Sequence, residues 1–235
     1  MMKRAPWPVM VAMLLSIALN LWFAGAPSLS WIPAALIAWY FADFASGITH
    51  MVMDYKPCRQ GIGLDRLYFY EGSRESEDYL ALRGRVWREM GPFEKLVYDF
   101  KNHHPRPEAL GRRPMLVQIG STICFASLPA SILLNLAAWL LPLPGWLVFG
   151  SVILLVGGTF AQYFHGTLHR ADNPRIVEWM RSAGLLMSPD AHQLHHDTLT
   201  RDFATNNGWS NPLVNRIFAL AIRRRWLTES GLTPQ

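Results

Sequence analysis

The feature that most constrains this chain is the absence of charge from two long stretches. No Asp, Glu, Lys or Arg lies between Arg4 and Asp43, and none lies between Arg113 and Arg170. A helix on the surface of a soluble protein needs a polar face, and these stretches supply none. Each is long enough to cross a bilayer twice, at about 20 residues per crossing. Each also breaks near its middle, at Ala26-Pro27-Ser28-Leu29-Ser30 and at Leu141-Pro142-Leu143-Pro144-Gly145. Proline removes a backbone donor and stops a helix, so both breaks read as tight turns between antiparallel spans. The pattern predicts helices near residues 7–25, 31–54, 115–140 and 146–169. A signal peptide would explain the basic start and the first apolar run, but not the three apolar spans that follow.

The expected fold class is all-α, a multi-pass membrane protein of four transmembrane helices with a cytoplasmic histidine-rich cap. The basic residues set its orientation. All 22 Lys and Arg fall in the N-terminus, in residues 56–113 or in residues 170–225, and neither turn contains one. The positive-inside rule puts those three regions in the cytoplasm, so segments 55–114 and 170–235 are expected there. This bias accounts for the net charge of +5, and no nucleic-acid partner is expected. Residues 1–235 read as one membrane-embedded domain. Cys58 and Cys124 fall in a cytoplasmic segment and within a span, which predicts no disulfide. The compact chain without a targeting extension favours a bacterial inner membrane over the endoplasmic reticulum.

Eight histidines carry the strongest chemical signal: His50, His103, His104, His165, His169, His192, His195 and His196. His50 lies nineteen residues beyond Trp31, and His165 nineteen beyond Trp146. At about 1.5 Å per residue, both reach the same boundary of the bilayer. The other six lie in, or at the edge of, the basic segments. Every histidine is therefore expected on one face of the membrane. His165 and His169 are spaced i, i+4, so their rings share one side of a helix. His192, His195 and His196 offer i, i+3 and i, i+4 pairs, and His103-His104 are adjacent. A lone histidine is usually structural, but none here falls outside three clusters and one helix end. Imidazole suits Fe, Zn, Cu and Ni. Eight exceed the need of one metal ion and suit two octahedral ions that keep open positions.

A fourth element is acidic. Asp43, Gly47, His50 and Asp54 are spaced i, i+4, i+7, i+11, along one face of the second span. Carboxylates within a span are costly and mark function, so Asp43 and Asp54 are candidate catalytic residues. Asp54 follows His50 by one turn and is placed to ligate metal or orient a ligand histidine. Asp43 lies deeper, in reach of a histidine or of a polar group on another helix. Gly47 admits a close neighbour, either a helix or a lipid chain.

Other metal chemistries fit less well. A zinc protease needs a Glu beside its first histidine, and His165-Gly166-Thr167-Leu168-His169 holds no acid. Bis-imidazole haem wants single facing histidines rather than clusters. No flavin or nicotinamide fingerprint is present.

Together, Asp43-Phe44-Ala45-Ser46-Gly47-Ile48-Thr49-His50 with Asp54, His103-His104-Pro105, His165-(three)-His169, His192-Gln193-Leu194-His195-His196 and Gly208-Trp209-Ser210-Asn211-Pro212 resemble the lipid-desaturase family. That family includes plasmanylethanolamine desaturases and the chloroplast desaturase that makes trans-hexadecenoate in phosphatidylglycerol. The resemblance runs in order from Asp43 to Pro212. It implies that the eight histidines ligate two Fe ions, with Asp54 an acidic partner. It implies O2 as co-substrate and an external electron donor such as ferredoxin or cytochrome b5. A membrane lipid would be the substrate, entering from the bilayer. Two departures bear on specificity. Met51 follows His50 where family members carry Trp, and the stretch between Asp54 and His103 is longer. That stretch suits either a substrate or redox-partner cap or a solvated insertion.

The leading expectation is O2-dependent conversion of an alkyl-ether phospholipid to a vinyl ether. Acyl-chain desaturation of a phospholipid such as phosphatidylglycerol, hydroxylation by the same oxidant, and a non-catalytic metal-binding protein remain open. Phe160, Tyr163, Phe164 and Trp39 are candidate chain-lining residues, or else interfacial anchors. Arg223-Arg224-Arg225 with Trp226 reads as a basic amphipathic end on anionic lipid, or as a plain tail.

Overall fold

The computed structural model describes residues 6–234, so the basic pair Lys3 and Arg4 lies outside the described residues. Described residues form helices and connections only, with no strand among them. Four helical segments are long and apolar enough to cross a membrane. They are α1 (Pro6–Ala24), α2 (Trp31–Tyr55), the composite Met115–Leu140, and α9 (Gly145–Leu168). Their outward faces are also apolar. Leu14, Leu15, Trp22, Phe125, Leu133 and Trp139 are all exposed. Helices that are apolar all round belong in lipid.

The shorter helices are α3 (Leu64–Tyr68), α4 (Glu77–Glu89), α5 (Pro92–His103), α6 (Glu108–Gly111), α10 (Arg175–Ser182), α11 (Pro189–Thr198) and α12 (Asn211–Arg223). The third span is less regular than the sequence suggests. It runs as α7 (Met115–Thr122), a five-residue π segment (Ile123–Ser127) and α8 (Leu128–Leu140). Pro129 explains the change of register. It brings no N–H, and its ring crowds the carbonyl four residues earlier, so the ladder loosens by one residue there.

Small residues seat α9 against α2. A Cβ on Gly157 would meet the Ala42 Cβ at 2.6 Å, and one on Gly150 would meet Ala34 at 3.4 Å. The contacts advance in the same direction along both helices, so α2 and α9 run parallel. Their ends, carrying His50 and His165, finish together. Close backbone approach through small residues is a usual route to helix association in lipid. A polar seam joins α1 to α8. Asn20 donates to the Ser131 hydroxyl at 2.8 Å, and Asn135 donates to the Ser16 hydroxyl at 2.9 Å.

The long stretch between Asp54 and His103 builds its own apolar core. Leu64, Leu67, Tyr79, Leu82, Val86, Met90 and Tyr98 are buried together, with Trp87 packed against them. The segment is a folded helical layer with its own core. Helix α5 continues from it and carries His103.

Candidate metal centre

Two of the helices that bring histidines to the site begin at starts that the sequence fixes locally. Helix α11 starts at Ser188, whose side chain accepts from the Ala191 N–H, and Pro189 sits at its first position. That start fixes the phase of His192, His195 and His196. Helix α5 starts at Gly91-Pro92, where the Glu94 carboxylate accepts from the Gly91 N–H at 2.9 Å. A helical run from that start delivers His103. Tight packing brings α6 to the end of α9, where a Cβ on Gly111 would lie 2.7 Å from the His169 carbonyl oxygen.

The eight histidines converge with Asp54 into two groups. One holds His103, His165, His169, His192 and His196; the other holds His50, Asp54, His104 and His195. Within each group, one ligand atom per residue lies within 4.8 Å of all the others. The groups share a wall. The His50 and His165 ring centroids are 4.8 Å apart, and those of His103 and His104 are 4.2 Å apart. The division follows helical geometry. Residues four apart stay together, as in His165/His169, His192/His196 and His50/Asp54. Adjacent residues separate, as in His103/His104 and His195/His196. Neighbours in a helix point about 100° apart, and i, i+4 neighbours share a face.

Backbone partners set the tautomers. His50 Nδ1 lies 2.9 Å from the Phe203 carbonyl oxygen, and His195 Nδ1 lies 2.8 Å from that of Arg201. His103 Nδ1 bonds the Phe100 carbonyl. A carbonyl only accepts, so each Nδ1 carries the proton and donates, leaving a lone pair on each Nε2. Those three Nε2 atoms are buried and have no hydrogen-bond partner. His169 Nε2 and His196 Nε2 are likewise buried and unpartnered. Asp54 makes the same point with more force. Its Oδ2 lies 3.3 Å from His50 Nε2 and 3.3 Å from His195 Nε2. Lone pairs on both sides repel unless a cation lies between them. Burial of unpaired acceptors costs about 1–3 kcal/mol each, so this many in one place fits metal ions. Asp54 Oδ1 pairs with His104 Nε2 at 3.0 Å.

Burial keeps four of the imidazoles outside the spans, His103, His169, His192 and His196, neutral. It holds His103 and His192 well below the ordinary imidazole range, and neighbouring imidazoles add to the effect. It also pulls His169 down to about 4 and His196 to about 2. At neutral pH no proton competes for these lone pairs.

Lys101 supports the second group and was not singled out by sequence. It is fully buried, and its ammonium donates to the Met53 carbonyl at 3.1 Å and to the Asp54 carbonyl. Burial pulls its amine down to about 8. A cation on the last carbonyls of α2 satisfies groups that a helix end leaves bare. No spacing or cluster marks Lys101 in the sequence.

Asp43 belongs to neither group. Its Oδ1 accepts from the Asn207 and Gly208 N–H groups at 2.9 and 3.0 Å. Its Oδ2 accepts from the Ser210 N–H and hydroxyl at 2.9 and 2.6 Å. Gly47, one turn on, admits the same segment. A Cβ there would lie 3.2 Å from the Ala204 Cα. Asp43 and Gly47 thus tie the loop that follows α11 to α2, and Gly208-Trp209-Ser210 forms the turn they hold. Met51 packs into the cluster of Phe203, Val214 and Phe218 beside that loop.

A cavity of about 320 Å³ opens between α2, α5, α7 and α9, and both His50 and His165 line it. Ser46, Thr49, Phe100, Gln118 and Gln162 form part of its wall. The four aromatic residues expected from sequence to line a chain path lie elsewhere. Tyr163 and Phe164 are buried in a core with Ile119 and Val177, and Trp39 and Phe160 pack against it. They pack with Met10 and Met13 of α1, Ile119 of α7 and Val177 of α10, and none of the four lines the cavity.

Apolar spans that gather eight imidazoles and a carboxylate at one end define a helical polyhistidine protein with candidate membrane spans. Residues 90–228, more than half the chain, match the lipid desaturase domain, and the chain belongs to that family. It is also similar to a plasmanylethanolamine desaturase of Myxococcus xanthus, with 26% identity over 212 residues. The similarity covers 87% of this chain and 63% of that relative, so the chain spans less than two thirds of the relative's length. No solved structure matches.

Proposed function

We propose that the chain is a membrane di-iron desaturase acting on a phospholipid, and that its substrate is an alkyl ether converted to a vinyl ether. The two adjoining groups of imidazoles, one of them holding Asp54, carry this reading, since every histidine in them except His165 has a buried ring nitrogen without a hydrogen-bond partner. His103, His165, His169, His192 and His196 would hold one iron. His50, His104, His195 and Asp54 would hold the other. Two irons bound there supply dioxygen activation and the removal of hydrogen from an unactivated C–H bond. In balance, two C–H bonds break and one C=C forms. The two hydrogens, two further electrons and two protons leave with dioxygen as two waters.

The chain's own residues supply position and shelter. His50, His165, His192 and His195 are no more than 1% exposed, so water is kept from the reacting centre. The Phe203, Arg201 and Phe100 carbonyls orient His50, His195 and His103, and such outer partners tune ligand basicity. The cavity leads to the wall shared by the two groups. Because His50 and His165 sit at the span ends, the carbons within reach are those near the head group. A vinyl ether forms at such a carbon. The named activity of the Myxococcus xanthus relative supports the same choice.

Residues 1–235 would then work as one membrane-embedded unit with the histidine end in the cytoplasm, a placement that the positive-inside bias of the basic segments supports. An acidic electron carrier such as ferredoxin or cytochrome b5 would dock on that basic side.

Lipid mass spectrometry on a plasmalogen-free host tests the proposal. The host expresses the chain, wild type or His165→Ala, and is fed an alkyl-glycerol precursor. Acid-labile vinyl ethers in the wild type alone are expected. New acyl unsaturation without vinyl ether would move the substrate to acyl chains. A wild-type protein that holds iron and leaves every lipid unchanged would refute the desaturase reading.

A further inference from the structure

The cavity that reaches His50 and His165 is also lined by a charged pair, Asp99 and Arg113. Arg113 Nη1 donates to Asp99 Oδ2 at 3.1 Å, and Nη2 donates to Oδ1 at 3.3 Å. Asp99 lies on α5, one turn before His103. Arg113 lies two residues before α7, at the boundary of the third span. The pair therefore stands at the level where a lipid head group meets its chains.

Stability does not explain the pair. The side chains are 40% and 31% exposed, and ion pairs that open contribute only about 0–1 kcal/mol. Both partners also keep unused capacity. A guanidinium has five N–H donors and a carboxylate about four acceptor positions, and each spends only two on the other. A ligand that could use both remainders must carry an anion and a cation close together. Arginine matches a phosphodiester in shape and charge, and a carboxylate matches an ammonium.

We propose that Asp99 and Arg113 read the lipid head group, with Arg113 taking the phosphodiester and Asp99 the ammonium of a zwitterionic, amine-bearing phospholipid. The inference rests on the phospholipid-desaturase reading above and deepens it by assigning specificity to two residues. An anionic head group without an amine would leave Asp99 facing negative charge, so such a lipid is disfavoured by repulsion. The reacting carbons, a few bonds from the phosphate, then come to rest beside the wall shared by the two histidine groups.

The test uses a host whose alkyl-ether lipids carry both ethanolamine and glycerol head groups. Products on each head group are measured against their pools for wild type, Asp99→Asn, Arg113→Lys and the swap Asp99→Arg/Arg113→Asp. Iron content is measured in parallel, and retention of the two lipids is read by native mass spectrometry. Wild type is expected to favour the ethanolamine lipid by about tenfold or more, both as product and as retained lipid. Asp99→Asn should bring that ratio near one with iron unchanged. Arg113→Lys should weaken retention of both lipids while keeping the preference. The swap restores an ion pair between α5 and the connection that precedes α7, so it should fold and hold iron, yet lose the preference. A wild-type ratio in Asp99→Asn, or a swap that recovers both yield and preference, would reduce the pair to a staple and overturn the inference. Wild type that holds iron and yields no unsaturated product on either head group would overturn the desaturase reading, and this inference with it.

Discussion

Two carboxylates lie eleven residues apart on one face of α2, both fully or almost fully buried, and their surroundings are opposites. Asp43 meets donors: three backbone N–H groups and a hydroxyl, all from residues 207–210. Asp54 has one oxygen paired, Oδ1 with His104 Nε2, while its Oδ2 meets acceptors: two Nε2 lone pairs whose rings have given their protons to carbonyls. Asp43 is complete as it stands and anchors a loop. Asp54 is complete only with a cation. Burial and spacing alone treat the two residues alike. What separates them is the count of protons on the groups they face.

That contrast can be broken most sharply at Asp54. Asp54→Ala is expected to remove one of two irons and to lower vinyl-ether product by at least about 100-fold, a larger loss than outer partners of a metal site give. Iron analysis beside lipid mass spectrometry reads both effects. Lys101→Met comes next. It leaves the Met53 and Asp54 carbonyls bare at the end of α2, and product should fall by about tenfold, within the range for outer partners. Lys101→Arg should recover part of that loss if charge on those carbonyls is what matters. Chelation offers a third comparison. Ligands at 100 times their dissociation constant stabilise by about 2.7 kcal/mol. Stripping iron should therefore lower the melting temperature of wild type by about 5–10 °C, and that of Asp54→Ala by less. Asp43→Asn has the smallest effect on chemistry. Hydrogen bonds to a charged group contribute about 1.5–3 kcal/mol, so stability should fall by about that much in a denaturant or thermal melt. Iron per folded chain should stay at the wild-type value.

The spans were legible because charge is missing from them and proline ends them. Their observed limits, such as Trp31–Tyr55 and Gly145–Leu168, lie within a residue of those read from the sequence. The π segment was not legible, because a single proline inside an otherwise apolar run does not say how the ladder around it will adjust. The convergence of the histidines was legible from their place at helix ends. Their division into two groups was not read, although the rule was present in the spacing: i, i+4 pairs stay together and adjacent pairs split. Other features had no local mark. Lys101 is one basic residue among many in its segment. The donors that complete Asp43 come from residues more than 160 positions away. The cavity wall is assembled from α2, α5, α7 and α9, whose relative placement no single stretch encodes.

Iron counting on the purified protein tests the central claim most directly. The protein would be loaded with ⁵⁷Fe under reducing, oxygen-free conditions and read by metal analysis and Mössbauer spectroscopy. Two irons in wild type and in Asp43→Asn, with one in Asp54→Ala, is the expected result. A single iron in wild type, or the same iron content in Asp54→Ala as in wild type, would contradict a paired centre with Asp54 at its heart.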